Sequence, residues 1–192
     1  MNQPHPHQMP LLENWVPAAV GEGLFSAEDC ERTLALATEM KDAGILRGEN
    51  ETEYRAGRVC WIRPGPENEW LFAKLWNLCG QVNAQHYKLE LSGFTEPLQL
   101  GEYGPGHFYD WHLDFGPKGF SVRKLSFVVQ LTDPETYEGG DLEILASNQT
   151  FRPPRRRGTL IVFPAFILHR VQAVTAGTRR SLVGWIGGPP LR

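Results

Sequence analysis

Two side chains suited to binding a metal ion, His112 and Asp114, lie two residues apart in the segment Tyr109–Phe115. On a β-strand, side chains at positions i and i+2 project from the same face, so these two groups are expected to point together. A third ligand must come from elsewhere in the fold, and His169, which opens a later strand pattern, is the candidate. Two histidines and one carboxylate leave three coordination positions open, an arrangement associated with non-haem Fe(II) oxygenases.

Taken alone, the His-x-Asp pattern is a weak signal, because the chain has six histidines and many acidic residues. A closed structural zinc site usually contains thiolates, whereas Cys30, Cys60 and Cys79 are dispersed and form no C-x-x-C pair. The odd and dispersed cysteine count also gives no disulfide framework and is typical of a reducing cytoplasm.

A candidate anion-binding residue, Arg179, follows His169 by ten residues. If His169 begins a strand and Gly177-Thr178 forms a turn, Arg179 re-enters on the neighbouring strand and faces the same cavity. A guanidinium group there would hold a carboxylate through two parallel charge-assisted hydrogen bonds. The adjacent Arg180 is expected to form a surface ion pair instead.

Further motifs follow one another in the second half of the chain. They are Tyr103-x-x-Gly106-x-x-Tyr109-x-x-His112-x-Asp114, Leu125–Leu131, Tyr137–Leu142, the block from His169 to Arg179, and Trp185. With these motifs, the stretch Tyr87–Ile186 resembles the prolyl-4-hydroxylase-like 2-oxoglutarate oxygenases, especially their bacterial PKHD-type branch. The resemblance implies a double-stranded β-helix fold that uses Fe(II), 2-oxoglutarate and O2, with ascorbate as a further reductant, and that releases succinate and carbon dioxide.

The resemblance also implies roles for individual residues. The iron ligands would be His112, Asp114 and His169, the C5 carboxylate of 2-oxoglutarate would be held by Arg179 and Tyr103, and the substrate side would be lined by Tyr109 and Trp185. Apolar side chains expected either to wall the cavity or to form plain core are Leu100, Phe127, Val129, Ile161 and Phe163.

The elements that must position these residues change in character along the chain. A first helix is expected after the Ser26-x-x-Asp29 capping pattern and would continue until Gly44. A second helix is expected over about Glu67–Gln85, because leucines recur there on one stripe. Between the two, Arg58–Arg63 has the pattern of a strand.

From Tyr87 onward the sequence predicts short strands separated by turn formers. The expected strands are Tyr87–Leu91, Leu98–Tyr103, Phe108–Asp114, Ser121–Leu131, Asp141–Leu145, Thr159–Phe163, Arg170–Val174 and Arg180–Ile186. Many short strands without intervening helices indicate an antiparallel sandwich or jelly roll. The predicted class is therefore α+β: a double-stranded β-helix (jelly roll) core with N-terminal helices packed on one sheet.

The length of 192 residues is suited to one domain. We expect a polar leader over 1–20, which includes His5 and His7, a helical support over 21–86 and the jelly-roll core over 87–187. The N-terminus lacks the basic start and apolar core of a secretory signal, so the expected location is the cytoplasm.

Charge and hydropathy limit the partners. A net charge of −3 gives no general attraction to nucleic acid, and no apolar run approaches the roughly 20 residues that span a bilayer. The basic residues Arg152 and Arg155–Arg157 are interrupted by prolines and are expected to be an exposed loop rather than a contact for an acidic partner. The oligomeric state is left open.

Three functions are compatible with these patterns, and the first is favoured. It is hydroxylation of an unactivated C–H bond, with a peptidyl prolyl residue as the expected target. Tyr109 and Trp185 offer flat apolar surface for such a residue, and the glycine-containing segment Gly116–Arg123 is typical of a mobile flap that could close over a peptide. A free amino acid or a small metabolite is the alternative substrate, with Arg123 as partner for its carboxylate. A cupin-like metal-binding protein without oxygenase chemistry, or a silent interaction domain, would not require Arg179.

Overall fold

The computed structural model describes residues 14–43 and 54–190. The predicted leader, with His5 and His7, lies mostly outside the described residues, as does Gly44. The helices are α1 (Ala27–Ala35) and α2 (Glu69–Val82), and the strands before the metal-binding segment are β1 (Ala19–Gly21), β2 (Lys41–Asp42), β3 (Arg55–Ala56), β4 (Arg58–Ile62), β5 (Gly93–Phe94) and β6 (Leu98–Tyr103). The later strands are β7 (Phe108–His112), β8 (Arg123–Gln130), β9 (Tyr137–Gly139), β10 (Leu142–Ala146), β11 (Gln149–Phe151), β12 (Leu160–Pro164), β13 (His169–Val171), β14 (Val174–Gly177) and β15 (Arg179–Gly187).

The strands form two large antiparallel sheets. The major sheet has eight strands in the order β1-β12-β8-β15-β6-β4-β2, with β5 also paired to β15. The minor sheet has the order β11-β10-β13-β7-β3, and β14 pairs separately with β9. The metal-binding segment therefore belongs to the minor sheet, whereas Arg179 belongs to the major sheet.

Side chains alternate between the two faces of the major sheet, and each face contributes to a separate apolar cluster. One face of the major sheet, through residues such as Leu125 and Phe127, packs with Cys30 of α1 and Leu71 of α2 in one buried cluster. The opposite face contributes to a second cluster that includes residues of the minor sheet. The two helices thus cover one face of the major sheet, as the sequence predicted, and the other face is left for the site.

Both predicted helices are present, with shorter bounds. Ser26 and Asp29 form the predicted capping box, in which the Ser26 hydroxyl accepts a hydrogen bond from the Asp29 N–H and the Asp29 carboxylate accepts one from the Ser26 N–H. The second helix ends at Val82 and continues into a π-helical turn, Asn83–Tyr87. Among the described residues, no helix is long and apolar enough to cross a membrane.

The predicted strand Tyr87–Leu91 is wrong. The π-helical turn ends on Lys88, which has a left-handed backbone with φ of 53°. The Asn83 side chain then donates to the Leu89 carbonyl and accepts from the Leu89 N–H. A side-chain amide therefore occupies the backbone groups that strand pairing would use.

Other strand boundaries also differ from the predictions. The metal-binding strand ends at His112 rather than Asp114, and the predicted strand Arg170–Val174 is divided between β13 and β14. Residues expected to be leader or helical support supply further strands: β1 pairs with β12, and β3 pairs with β7. These are pieces of two or three residues, too short for an alternating pattern to be recognised in the sequence.

The four basic residues of the Arg152–Arg157 stretch bind acids of this chain. Ion pairs connect them to Glu143, Asp141, Glu22 and Glu31. The expectation of a simple solvated loop is therefore incomplete, because these arginines attach the loop to both the sheet and α1.

Candidate metal centre and co-substrate pocket

The three predicted metal ligands are brought together. His112 and His169 are directly opposite each other in the pairing of β7 with β13. The Nε2 atom of His169 lies 3.4 Å from Asp114 Oδ2, and that of His112 lies 3.9 Å from Asp114 Oδ1. All three side chains are buried, and their ligand atoms lie within 4.8 Å of one another.

Backbone carbonyls orient both imidazoles. His112 Nδ1 lies 2.7 Å from the Asp110 carbonyl, and His169 Nδ1 lies 2.9 Å from the Ile167 carbonyl. A carbonyl oxygen can only accept a hydrogen bond, so each Nδ1 carries the proton and each Nε2 presents its lone pair. This hydrogen bonding of the remote ring nitrogen is the usual arrangement around metal-binding histidines.

Asp114 lies beyond the end of the strand, so its position depends on a turn and not on strand alternation. The N–H groups of Asp114 and Phe115 both donate to the Ala165 carbonyl. The Ser126 hydroxyl donates to Asp114 Oδ2 at 2.6 Å. The predicted proximity of His112 and Asp114 is correct, but the reason given for it, two positions on one strand, is wrong.

The ionisation states suit a cation. Burial by itself would raise the pKa of the Asp114 carboxyl group, but the neighbouring imidazoles and the Ser126 hydrogen bond outweigh it, so the pKa lies below its usual value. The Trp185 indole N–H also helps to lower it, although its geometry falls short of a formal hydrogen bond. Burial, followed by the nearby His169, lowers the pKa of His112 to about 3. A neutral imidazole and an ionised carboxylate are the forms that bind a divalent metal.

Arg179 is buried, with 1% of its surface exposed, and none of the described carboxylates forms an ion pair with it. Its Nη2 donates to Gln130 Oε1 at 3.0 Å, and its Nη1 donates to the Ser181 hydroxyl at 3.4 Å. The Tyr103 ring centre lies 5.7 Å from the guanidinium carbon. A buried cation without a counter-ion is costly, so the pocket fits a ligand that carries a carboxylate.

Two further polar side chains of this pocket were not predicted from the sequence. Within residues 14–43 and 54–190, Arg179 Nε, Gln130 Nε2 and Thr159 Oγ1 are all buried without a hydrogen-bond partner. Gln130 is opposite Ser181 in the pairing of β8 with β15, and its N–H donates to the Thr159 carbonyl. A sequence signal for Gln130 did exist, since it is the one polar residue in the run Phe127–Leu131.

The predicted route to Arg179 needs a correction. We expected the strand after the Gly177-Thr178 turn to be adjacent to that of His169, but β13 and β15 belong to different sheets. Arg179 therefore belongs to the sheet opposite the predicted metal ligands and not to a strand that neighbours them. Its side chain crosses Gly140, where an added Cβ would lie 3.1 Å from Arg179 Cδ and 2.8 Å from Val174 Cγ2.

The five apolar side chains for which a cavity wall and plain core were both expected divide between the two. Leu100, Phe127 and Val129 belong to the cluster under the helices and face away from the site. Ile161 and Phe163 lie in the cluster between the sheets, and the Phe163 ring contacts that of His169 edge-on with centres 4.7 Å apart.

The predicted substrate-side residues surround the metal ligands. The Tyr109 ring stacks on His112 with centres 3.6 Å apart. The Arg123 guanidinium lies over the Trp185 ring at 3.9 Å, donates to the Asp114 carbonyl and binds Glu96 at 2.5 Å. Arg123 is therefore already paired with a carboxylate of this chain.

Comparison with known proteins confirms the resemblance. Residues 98–187 match the model of the 2OG-Fe(II) oxygenase superfamily. A PKHD-type hydroxylase from Prochlorococcus marinus is 41% identical over 103 residues, which are 51% of this chain and 47% of that protein. One from Synechococcus sp. (strain CC9311) is 41% identical over 78 residues, or 41% of this chain and 36% of that protein. The chain thus spans less than half the length of these curated relatives.

Solved structures are similar over most of the chain. A Pseudomonas putida prolyl-4-hydroxylase is 26% identical, with a TM-score of 0.72, over 90% of this chain and 93% of that one. A Trichoplax adhaerens prolyl hydroxylase in complex with a hypoxia inducible factor peptide fragment has a TM-score of 0.75 at 15% identity, over 89% of this chain and 83% of that one, and shows a shared fold.

Proposed function

We propose that this chain is an Fe(II)- and 2-oxoglutarate-dependent oxygenase that hydroxylates an unactivated C–H bond and releases succinate and carbon dioxide. The observation that carries the proposal is the combination of two features between the same sheets. An open set of three candidate metal ligands comes from the minor sheet and its following turn, and a buried guanidinium with no counter-ion in the described part of the chain comes from the major sheet. A cupin-like metal binder or a silent interaction domain would need only the first feature or neither.

Each group has a task in this reaction. Bound iron supplies activation of O2 coupled to oxidative decarboxylation of 2-oxoglutarate. His112, Asp114 and His169 would hold the metal on one side and leave the opposite positions for co-substrate. Arg179, with Gln130 as its neighbour, would bind the far carboxylate and thereby orient the co-substrate.

Apolar side chains lie between the two sheets, where the reaction would take place. Ile161 and Phe163 lie in the apolar cluster between the sheets and would keep water away from the reacting atoms.

Two facing antiparallel sheets with this strand order, and the similarity to prolyl hydroxylases, support a double-stranded β-helix as the core of a single domain.

The proposed substrate is a peptidyl residue, with proline as the first candidate. Leu113, which lies between two metal ligands, is 48% exposed, and Phe166, next to the Ala165 carbonyl that holds Asp114, is 50% exposed. On the other side, exposed Trp61 lies 6.3 Å from Trp185 between ring centres. Such an apolar rim suits a polypeptide better than a small charged metabolite.

The alternative substrate, a free amino acid, loses some of its support. Arg123 was its expected carboxylate partner, but the Arg123 guanidinium is occupied by Glu96 and the Asp114 carbonyl. The Trichoplax relative is seen with a peptide, which also favours a peptidyl target.

The test is to supply the purified protein with Fe(II), O2 and 2-oxoglutarate and to measure succinate with different substrates. Short proline-containing peptides, free proline and other free amino acids would be compared, with mass spectrometry for a product that has gained one oxygen atom. We expect turnover with a peptide and none in His112→Ala. Turnover confined to a free amino acid would reject the peptidyl substrate alone, whereas absence of both iron binding and succinate would reject the oxygenase.

A further inference from the structure

A buried carboxylate outside the cavity is held by three side chains of the minor sheet and its loop. Glu143, on β10, is only 2% exposed. It accepts hydrogen bonds from Arg152 Nε at 2.7 Å, Arg170 Nε at 2.6 Å and Gln172 Nε2 at 2.8 Å. Burial opposes its ionisation, but the bonds from Arg170 and Arg152 outweigh this and keep its pKa below the usual value.

This cluster lies directly behind the metal ligands. Glu143 is opposite Arg170 in the pairing of β10 with β13, and Ile144 is opposite His169. Successive residues of a strand project to opposite faces, so Arg170 is on the outer face where His169 is on the inner one. The Arg170 guanidinium also lies over the Trp111 ring at 4.7 Å, and Trp111 precedes His112 on β7. Glu143, Arg170 and Trp111 therefore form an outer layer over β10, β13 and β7.

The backbone pairing of β13 with β7 is irregular at this point. The pairing of β13 with β7 contains a register shift between His169 and Val171, so the ladder is irregular beside the metal ligands. A bulge loosens and twists a strand pair. A charged hydrogen-bond network across the three strands would compensate for it.

We propose that Glu143 is a positioning residue of the metal centre: through Arg170 and its contact with Trp111, it fixes β13 against β7 and so sets the separation of His169 and His112. The inference rests on the proposed function of the triad as a metal site. Glu143 itself would not contact a bound metal, because it faces the opposite side of the sheet from His169.

The major sheet offers a matched control. Glu102 on β6 binds Arg58 of β4 and Arg180 of β15, at 3.0 Å and 2.9 Å, and so connects three strands in the same manner. None of these strands carries a metal ligand. Glu102 has two arginine partners and a side chain that is 14% exposed, so its network is the weaker of the two, but it is the described carboxylate that connects three strands away from the triad.

The experiment compares Glu143→Gln with Glu102→Gln and the unaltered protein in anaerobic titrations with Fe(II) and with Co(II). Co(II) is included because its visible spectrum reports the ligand geometry independently of turnover. Removal of a group hydrogen-bonded directly to a metal ligand typically weakens metal affinity by about 10–100-fold. Glu143 acts one step further out, so we expect a loss at the lower end, about 10-fold, with an altered Co(II) spectrum in Glu143→Gln, and an affinity within about 2-fold of the original in Glu102→Gln.

Denaturant unfolding of the metal-free proteins separates positioning from general stability. Arg170→Lys, which retains the charge but loses the planar fork, should weaken metal binding in the same direction and serves if Glu143→Gln does not fold. Equal metal affinity in Glu143→Gln and the unaltered protein, or equal losses in both carboxylate variants, would overturn the inference. Absence of metal binding in the unaltered protein would instead overturn the proposed function, and the inference with it.

Discussion

The prediction with the clearest physical magnitude concerns Arg179. We expect Arg179→Met to raise the dissociation constant of 2-oxoglutarate by about 100-fold. A hydrogen bond to a charged group contributes about 1.5–3 kcal/mol. Because water partly replaces the two lost bonds, we expect the binding free energy of 2-oxoglutarate to weaken by about 3 kcal/mol. Each 1.4 kcal/mol corresponds to a factor of about ten in affinity.

The same substitution should also change the stability of the protein without co-substrate. The buried guanidinium has one good acceptor, Gln130 Oε1, and no described carboxylate partner. Replacing it by an apolar side chain of similar length removes an uncompensated buried cation, whose cost is several kcal/mol, and leaves one acceptor unpaired at about 1 kcal/mol. The free energy of unfolding of apo Arg179→Met should therefore equal or exceed that of the original protein.

Calorimetric titration of 2-oxoglutarate into the metal-loaded protein measures the first effect, and denaturant unfolding measures the second. Arg180→Ala is the control, because that arginine is partly exposed and already paired with Glu102, so its loss should change the affinity little. A large loss of apo stability together with unchanged 2-oxoglutarate affinity would show that Arg179 is structural. Equal affinity losses at positions 179 and 180 would show that only general charge matters.

Three further outcomes follow from the geometry. The protein should bind one Fe(II) per chain, and either His112→Ala or Asp114→Ala should abolish turnover; near-original succinate formation in both would reject the ligand assignment. Gly140→Ala should lower stability by about 1–3 kcal/mol and weaken 2-oxoglutarate binding, because φ is +66° and the new Cβ would press on Val174 and Arg179, as unfolding and titration would show. The pKa of Glu143 is lowered in the folded state, so its contribution to the free energy of unfolding is present above the unfolded pKa of about 4.5 and is lost as pH falls through the folded pKa. Glu143→Gln should therefore make the free energy of unfolding fall less steeply at acid pH. An unchanged slope at acid pH would contradict this.

The sequence was informative where residue type and spacing carry the chemistry directly. The clustering of His112, Asp114 and His169 was predicted because the weak His-x-Asp pattern stands in an ordered series of motifs that ends on His169 and Arg179. Leu98–Tyr103 was predicted with correct bounds. The strand Tyr87–Leu91 was wrong because a side-chain amide, Asn83, competes for the backbone in a way that alternation does not reveal. The period-two pattern of apolar residues does not register this local competition between a side chain and the backbone.

The parts of the site that were missed depend on which sheet a strand joins. Sequence order suggested that β15 lies beside β13, whereas the two strands lie in different sheets. The role of Gln130 can be recognised only once β8 is known to pair with both β12 and β15. That pairing brings Gln130 onto the same sheet as Arg179 and Thr159, which also have unpaired polar atoms. Nothing in the spacing of these residues along the chain indicates that they meet.

The pairing of β6 with β15 explains why neighbouring arginines have different roles. Arg179 is opposite Tyr103 and Arg180 is opposite Glu102 in this register. Strand alternation therefore places Tyr103 and Arg179 on the face between the sheets, and Glu102 and Arg180 on the other face, where they form an ion pair. A shift of one residue in this register would put the Glu102 carboxylate beside the guanidinium of the pocket and fill the anion site with the chain's own acid. The register of this one strand pair is thus a condition for co-substrate binding.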